Sequence, residues 1–319
     1  MPLFSLADAA LDRSVVLGYT RIGYRLREPH WKPLPERLTG AYMITGATSG
    51  IGGAAAAALL ALAARVHLLA RDRGRGEAAV SELRRAAPDA DVRLWLCDVS
   101  DLGDIARFAE EFLASEPGPL QALVHNAGVF PAERTETPQG HETALATHVL
   151  GPHLLSLLMA PRLALAGPGR LIWVTSGGMY ARRLDQDDPE YKEGAYRGGV
   201  AYARTKRMQV VLAELWAAAE PPGRIVAHST HPGWVDTPGL AHAIPRFRTL
   251  VSPVIRTPGQ GADTIVWLCT ATPPTRVSGR LWHDRASRPA HYVPWTRETP
   301  AARAALWDLC TGAAAPFLP

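Results

Sequence analysis

Tyr202 and Lys206 stand four residues apart in Tyr202-Ala203-Arg204-Thr205-Lys206. On a helix that spacing puts both side chains on one face. A phenol with the ordinary pKa of about 10 is a poor base at neutral pH. An ammonium beside it favours the phenolate; a shift to about 7 takes roughly 4 kcal/mol, which a close lysine supplies together with a further positive charge. The pair therefore suits moving a proton to or from an oxygen. Only three of the 34 basic residues are lysine: Lys32, Lys192 and Lys206. Where any cation serves, this chain carries arginine, so a retained lysine points to a need for a compact ammonium.

A second pattern suits a phosphate. The apolar run Ala41–Thr45 leads into Thr45-Gly46-Ala47-Thr48-Ser49-Gly50-Ile51-Gly52 and then into an alanine-rich stretch. Glycines allow a tight turn and close backbone approach, and the helix N-terminus beyond offers free N–H groups and partial positive charge. A glycine cluster alone is weak; here it follows the first strand of a strand–helix–strand unit, the setting in which a dinucleotide pyrophosphate binds. The next apolar run ends Leu68-Leu69-Ala70-Arg71-Asp72. A carboxylate at such a strand end would hold a ribose 2′-hydroxyl, whereas an arginine suits a 2′-phosphate. Ala70 removes the carboxylate, Arg71 follows, and Asp72 comes one residue late. NADP is therefore expected over NAD.

These residues need a frame. From residue 40, short apolar runs read as buried strands: Ala41–Thr45, Arg65–Ala70, Val92–Leu96, Leu120–His125, Arg170–Thr175, Arg224–Ser229 and Arg280–His283. Between them, 50–64, 75–87, 102–115, 138–166, 200–219 and 258–271 suit helices. The alternation predicts an α/β fold with a doubly wound parallel sheet of about seven strands, Rossmann-like and a single domain. Residues 177–199 and 238–257 read as long loops, a place where function often sits. Residues 1–38 form an N-terminal extension, 39–285 the dinucleotide-binding catalytic domain, and 286–319 a C-terminal tail. Asp8 to Leu26 suits one helix packed on the domain. Lying on a membrane surface is the weaker reading, because Asp8 and Asp12 dilute its basic face.

Composition narrows the classes. The chain has 319 residues, 47% hydrophobic and 20% charged, which is globular rather than disordered. No apolar run is expected to span a bilayer, and arginines interrupt any N-terminal secretory core. A net charge of +4 is scattered, so no nucleic-acid partner is expected. Cys97, Cys269 and Cys310 lie far apart, against a disulfide scaffold and in favour of a reducing, cytoplasmic setting. His141, His148 and His153 are spaced wrongly for three ligands on one helical face, so no metal is expected.

The motifs together resemble the short-chain dehydrogenase/reductase family over residues 40 to about 285. The resemblance implies a cofactor loop at Gly46, Thr48, Ser49, Gly50, Ile51 and Gly52. It implies an adenine-end contact at Asp98 and Val99, and a segment Asn126-Ala127-Gly128 after the fourth strand. It implies a catalytic serine at Ser176, which orients and polarises the substrate oxygen, and a catalytic pair at Tyr202 and Lys206 that also touches cofactor. Pro232, Gly233, Val235 and Thr237 would flank the nicotinamide. One branch of the family is more similar still, in Ser176–Met179, His231–Gly239, Gly261–Thr264, Ser278–Arg280 and the N-terminal extension. The family implies a homodimer or homotetramer built on two long helices. It places an asparagine on the long helix before the serine strand, where it helps hold a relay water; here His148 falls at that position. Imidazole can donate and accept, so His148 is either a relay member or a core histidine satisfied by the backbone.

The function expected is NADP-dependent interconversion of a small-molecule alcohol and a carbonyl; Trp234 and the apolar residues of 238–257 point to a lipophilic substrate. The rival is a catalytically silent nucleotide-binding sensor or scaffold, for which His148 is the one feature. An extended-type sugar-nucleotide epimerase is disfavoured by the glycine spacing.

Overall fold

The structure, a computed structural model, describes residues 2–14 and 16–319. Eight strands form one sheet: β1 Ala41–Thr45, β2 Arg65–Ala70, β3 Val92–Leu96, β4 Leu120–His125, β5 Gly169–Val174, β6 Ile225–Thr230, β7 Arg280–His283 and β8 Ala286–Arg288. Their spatial order is β3-β2-β1-β4-β5-β6-β7-β8, parallel up to β7, with β8 antiparallel to it. The seven expected strands are present, with β5 and β6 displaced by one residue. The eighth is too short and polar to read as a strand, and forms because Asp284 and Arg285 take positive φ and fold the chain back on β7. Strand order reverses between β1 and β4, which opens a crevice at the carboxyl ends of the strands.

Apolar strands buried on both faces require two covering layers. Along β1, Met43 faces a core shared with the helices Leu102–Ser115, Thr143–Ala164, Gly198–Ala219 and Pro300–Ala314. Tyr42 and Ile44 face the other, shared with the helices Gly50–Ala61 and Pro258–Thr270. The Thr143–Ala164 helix is long and apolar enough to cross a membrane, contrary to the expectation that no stretch would be, yet most of it is buried within this fold.

Both ends of the chain join the domain. Residues 286–319, expected as a tail, supply β8 and the helix Pro300–Ala314, whose Leu306 and Cys310 enter the core. Its Trp307 meets His153 at 5.1 Å and Trp216 at 6.0 Å between ring centroids. This helix lies over the two long helices through which the family resemblance implies dimers. The single helix expected over Asp8–Leu26 is three: Pro2–Arg13, Val16–Tyr19 and Arg21–Arg27. The second break, between Tyr19 and Arg21, falls where the carbonyls of Gly18 and Tyr19 are taken by the domain. Gly18 O accepts from Arg256 Nη2 at 2.9 Å and Tyr19 O from the Trp234 N–H at 2.8 Å. The 238–257 stretch, expected as loop, contains two short helices, Pro238–Ala243 and Pro245–Val251, each begun by a proline at its first turn.

Candidate active site

The turn after β1 builds one end of the crevice. Gly46 has φ +66°, and a Cβ there would lie 2.7 Å from Ala127 Cα. A Cβ on Gly52 would meet Asn126 Nδ2 at 2.4 Å and Gly46 O at 2.5 Å. Glycine is therefore the residue that lets the turn lie against β4. Thr45, which opens the glycine pattern, ties the two together: its Oγ1 accepts from the N–H groups of Asn126 and Ala127, both at 3.0 Å. Asn126 Nδ2 donates to Thr45 O and Gly46 O, each at 3.1 Å. The helix Gly50–Ala61 opens on Ser49 without a side-chain cap, so its first N–H groups point into the crevice. These features fit a dinucleotide pyrophosphate.

Beyond β2, Arg71 and Arg75 line the same cleft. Arg75 had no signal beyond its position. Asp72 lines it too, but its Oδ1 accepts from the Arg75 N–H at 2.8 Å and caps the helix Arg73–Ala86. Asp98 and Val99 also line the cleft, where Asp98 Oδ1 accepts from Ser100 N–H and Oγ at 2.9 and 2.7 Å.

The other end collects Ser176, Tyr202 and Lys206, with Pro232, Gly233, Val235 and Thr237 opposite. Ser176 closes β5 and caps the turn Gly177–Ala181. Tyr202 and Lys206 come from the first turns of Gly198–Ala219. Burial pushes the phenol of Tyr202 above its usual range, and a hydrogen bond with Ser176 pulls it part of the way back. The lowering expected from Lys206 is therefore not met within the protein alone. The lysine is itself desolvated and falls to about 7. Its Nζ lies 5.4 Å from the phenol ring centroid and donates to Val174 O at 2.8 Å and Gln209 Oε1 at 3.1 Å. Two of its three donors are thus spent, leaving one for the cleft.

The ring of His148 packs edge-on against that of Tyr202, 5.6 Å between centroids, but its hydrogen bonds go elsewhere. Its Nε2 accepts from the Val129 N–H at 3.0 Å, so its proton sits on Nδ1, bonded to Thr205 Oγ1 at 2.8 Å. Burial and the nearby Lys206 hold its pKa well below the usual value. The ring is a satisfied core group. Its backbone reaches the lysine instead: His148 lies in a π-helical turn, Ala146–Leu150, and its carbonyl accepts from Gln209 Nε2 at 3.0 Å. Gln209 thereby joins the long helix to Lys206. It was missed, although its position three residues after Lys206 puts it on the same helical face.

The Pro232–Thr237 segment is held from afar. Arg256, fully buried, donates to Pro232 O at 3.3 Å, to Thr20 O at 3.1 Å and to Asp284 at 2.6 and 2.8 Å. Arg27 brings a second guanidinium to Asp284 at 2.6 Å. Burial alone would raise the Asp284 carboxyl, but the neighbouring His283, Arg256 and Arg27 hold it far below the usual range. Tyr19 sets its ring edge on His231 at 4.4 Å. Arg256 and Asp284 lay in no motif. The outer wall is apolar: Phe130, Trp234, Leu240, Ala243, Ile244 and Phe247 line a cleft of about 680 Å³.

Known proteins are similar to this chain in varying degree. A family model described as short chain dehydrogenase matches residues 41–187. Dehydrogenase/reductase SDR family member 12 of Bos taurus is 36% identical over 296 residues, 91% of this chain and 92% of its own. Retinol dehydrogenase 12 of Homo sapiens is 32% identical over 244 residues, 76% and 77% of the two chains. A solved structure from Mycobacterium paratuberculosis shares the fold with a TM-score of 0.68 at 23% identity, over 89% of this chain and 97% of its own. With the glycine turn, the tyrosine–lysine pair and this extent of similarity, the chain belongs to the short-chain dehydrogenase/reductase family and is an NAD(P)-dependent oxidoreductase.

Proposed function

We propose that the chain uses NADP to interconvert a lipophilic alcohol and its aldehyde or ketone. The observation that carries this reading is the meeting of Ser176, Tyr202 and Lys206 in a cleft whose outer wall is apolar. The nicotinamide supplies or accepts the hydride when bound. Ser176 Oγ orients the substrate oxygen. Tyr202 Oη gives that oxygen its proton in reduction and takes it back in oxidation. Lys206 directs its remaining N–H toward the phenol and a ribose hydroxyl, which favours phenolate as the proton leaves. Arg71 and Arg75 favour a 2′-phosphate, and Asp72, occupied as a helix cap, does not compete for a ribose hydroxyl.

Residues 1–38 serve the catalytic domain, 39–285, as a clamp on Pro232–Trp234. The helix Pro300–Ala314 lies over the surface that family dimers would use, which supports a monomer. Three buried free cysteines suit a reducing cytoplasm. The meeting of Ser176, Tyr202 and Lys206 in one cleft speaks against a catalytically silent sensor.

NADPH oxidation against a panel of long-chain and aromatic aldehydes and ketones tests the reading. Turnover is expected with apolar members, and Tyr202→Phe should lower it by about 10²–10⁴-fold while cofactor affinity stays within about threefold. Normal turnover by Tyr202→Phe would overturn the mechanism.

A further inference from the structure

Six of the ten exposed large apolar side chains among the described residues come from two stretches. Val16, Leu17, Ile22 and Leu26 belong to the N-terminal helices, and Ile244 and Leu250 to the segment after β6. Scattered singly, such residues are ordinary; gathered, they mark a surface that meets something apolar. The stretches are neighbours. The Arg21 N–H donates to Val254 O at 2.9 Å, and its guanidinium donates to Pro253 O. In Arg21–Arg27, Ile22 and Leu26 lie one turn apart on the outer side, beside Arg21 and Arg25 at the same spacing, while Gly23, Tyr24 and Arg27 face inward. In Pro245–Val251, Arg246 and Leu250 are exposed one turn apart, and Val251 is buried.

The charge is one-sided. Asp8 and Asp12 are the only acidic residues in 8–27 and 238–256. Both turn toward the domain: Asp8 pairs with Arg27 and Arg288 at 2.6 Å, and Asp12 pairs with Arg288 at 3.3 Å and accepts from the Tyr292 hydroxyl. The objection that these acids dilute a basic outer face therefore falls. Arg21, Arg25 and Arg246 are exposed, and no carboxylate among the described residues pairs with them; Arg248 is taken by Asp236 at 2.7 Å.

We infer that this face docks on an anionic lipid surface, its aliphatic side chains entering the acyl boundary and its arginines meeting the headgroup phosphates. The face runs into the mouth of the cleft, because Ile244 is 41% exposed and lines the cleft as well. A lipophilic substrate dissolved in the bilayer then reaches the cleft without crossing water. That route rests on the proposed reaction; the docking does not.

The full chain, without substrate, is sedimented with vesicles of phosphatidylcholine alone or with about one third phosphatidylglycerol. Binding should be at least about tenfold tighter to the anionic vesicles and weaken with salt. Arg21→Glu with Arg25→Glu, and separately Leu26→Ser with Leu250→Ser, should each weaken it by about tenfold or more with an unchanged melting temperature. Absent binding, equal binding to both vesicles, or binding untouched in both folded variants would overturn docking. A dimer that Leu26→Ser with Leu250→Ser splits, with no vesicle binding, would overturn it in favour of a second copy of this chain. Failure of vesicle binding leaves the carbonyl reaction standing, and failure of the substrate panel leaves docking standing.

Discussion

The two ends of the cleft are held by different means. At the glycine end, Thr45–Gly52 turns on its own backbone, and Asn126 and Ala127 on the neighbouring strand complete it. At the other end, Pro232–Thr237 is held by residues 18–20, Arg27, Arg256 and Asp284, drawn from across the chain. The first end is a local geometry with one long-range seam. The second is a buried charge cluster that works only if the extension, β7 and the 250s segment arrive together. Damage at the first end should therefore change affinity, and damage at the second should change stability.

The sharpest test of that contrast is Asp284→Asn. Removing the shared carboxylate of a buried ion cluster leaves Arg256 without an anionic partner and Arg27 with Asp8 alone, so about 3–5 kcal/mol of stability should be lost, seen as a fall in melting temperature. A variant that melts like the native protein would place the hold on Pro232–Thr237 elsewhere.

Lys206→Met tests the burial of the lysine between the two ends. Lys206 keeps its proton only below about pH 7 when folded, against 10.5 as its ordinary value. Between those limits the unfolded chain binds the extra proton, so this group makes native stability rise with pH. The variant lacks that rise. Relative to it, the native protein should gain up to about 4 kcal/mol from pH 7 to pH 10.5. Parallel stability–pH curves would mean that the ammonium is not desolvated.

At the glycine end, Arg71→Ala with Arg75→Ala should reduce the preference for NADPH over NADH by about 10–100-fold, with no change in melting temperature. Calorimetry with both cofactors reads this, and equal preferences before and after substitution would remove the arginines from cofactor choice. The smallest effect is expected of Gln209→Leu. Lys206 loses an acceptor and the link to His148 O, so activity should fall about threefold to tenfold with a displaced pH–rate profile. A uniform loss at every pH would make Gln209 a packing residue only.

Much of the molecule follows from order along the chain. Continuous apolar runs alternating with helix formers dictate a parallel sheet, because only helices on both faces can cover such strands. The Thr45–Gly52 turn and the Tyr202–Lys206 spacing are local, so backbone periodicity alone brings their atoms together. What tertiary structure decided is everything that depends on partners distant in sequence. His148 became a satisfied core histidine because Val129 and Thr205 happened to meet its two ring nitrogens, and Gln209 took up its carbonyl. Asp8 and Asp12 turned inward because Arg27, Arg288 and Tyr292 awaited them, leaving the outer face basic and apolar. A side chain's type states what bonds it can form; which groups are close enough to form them is settled only when the chain has closed on itself.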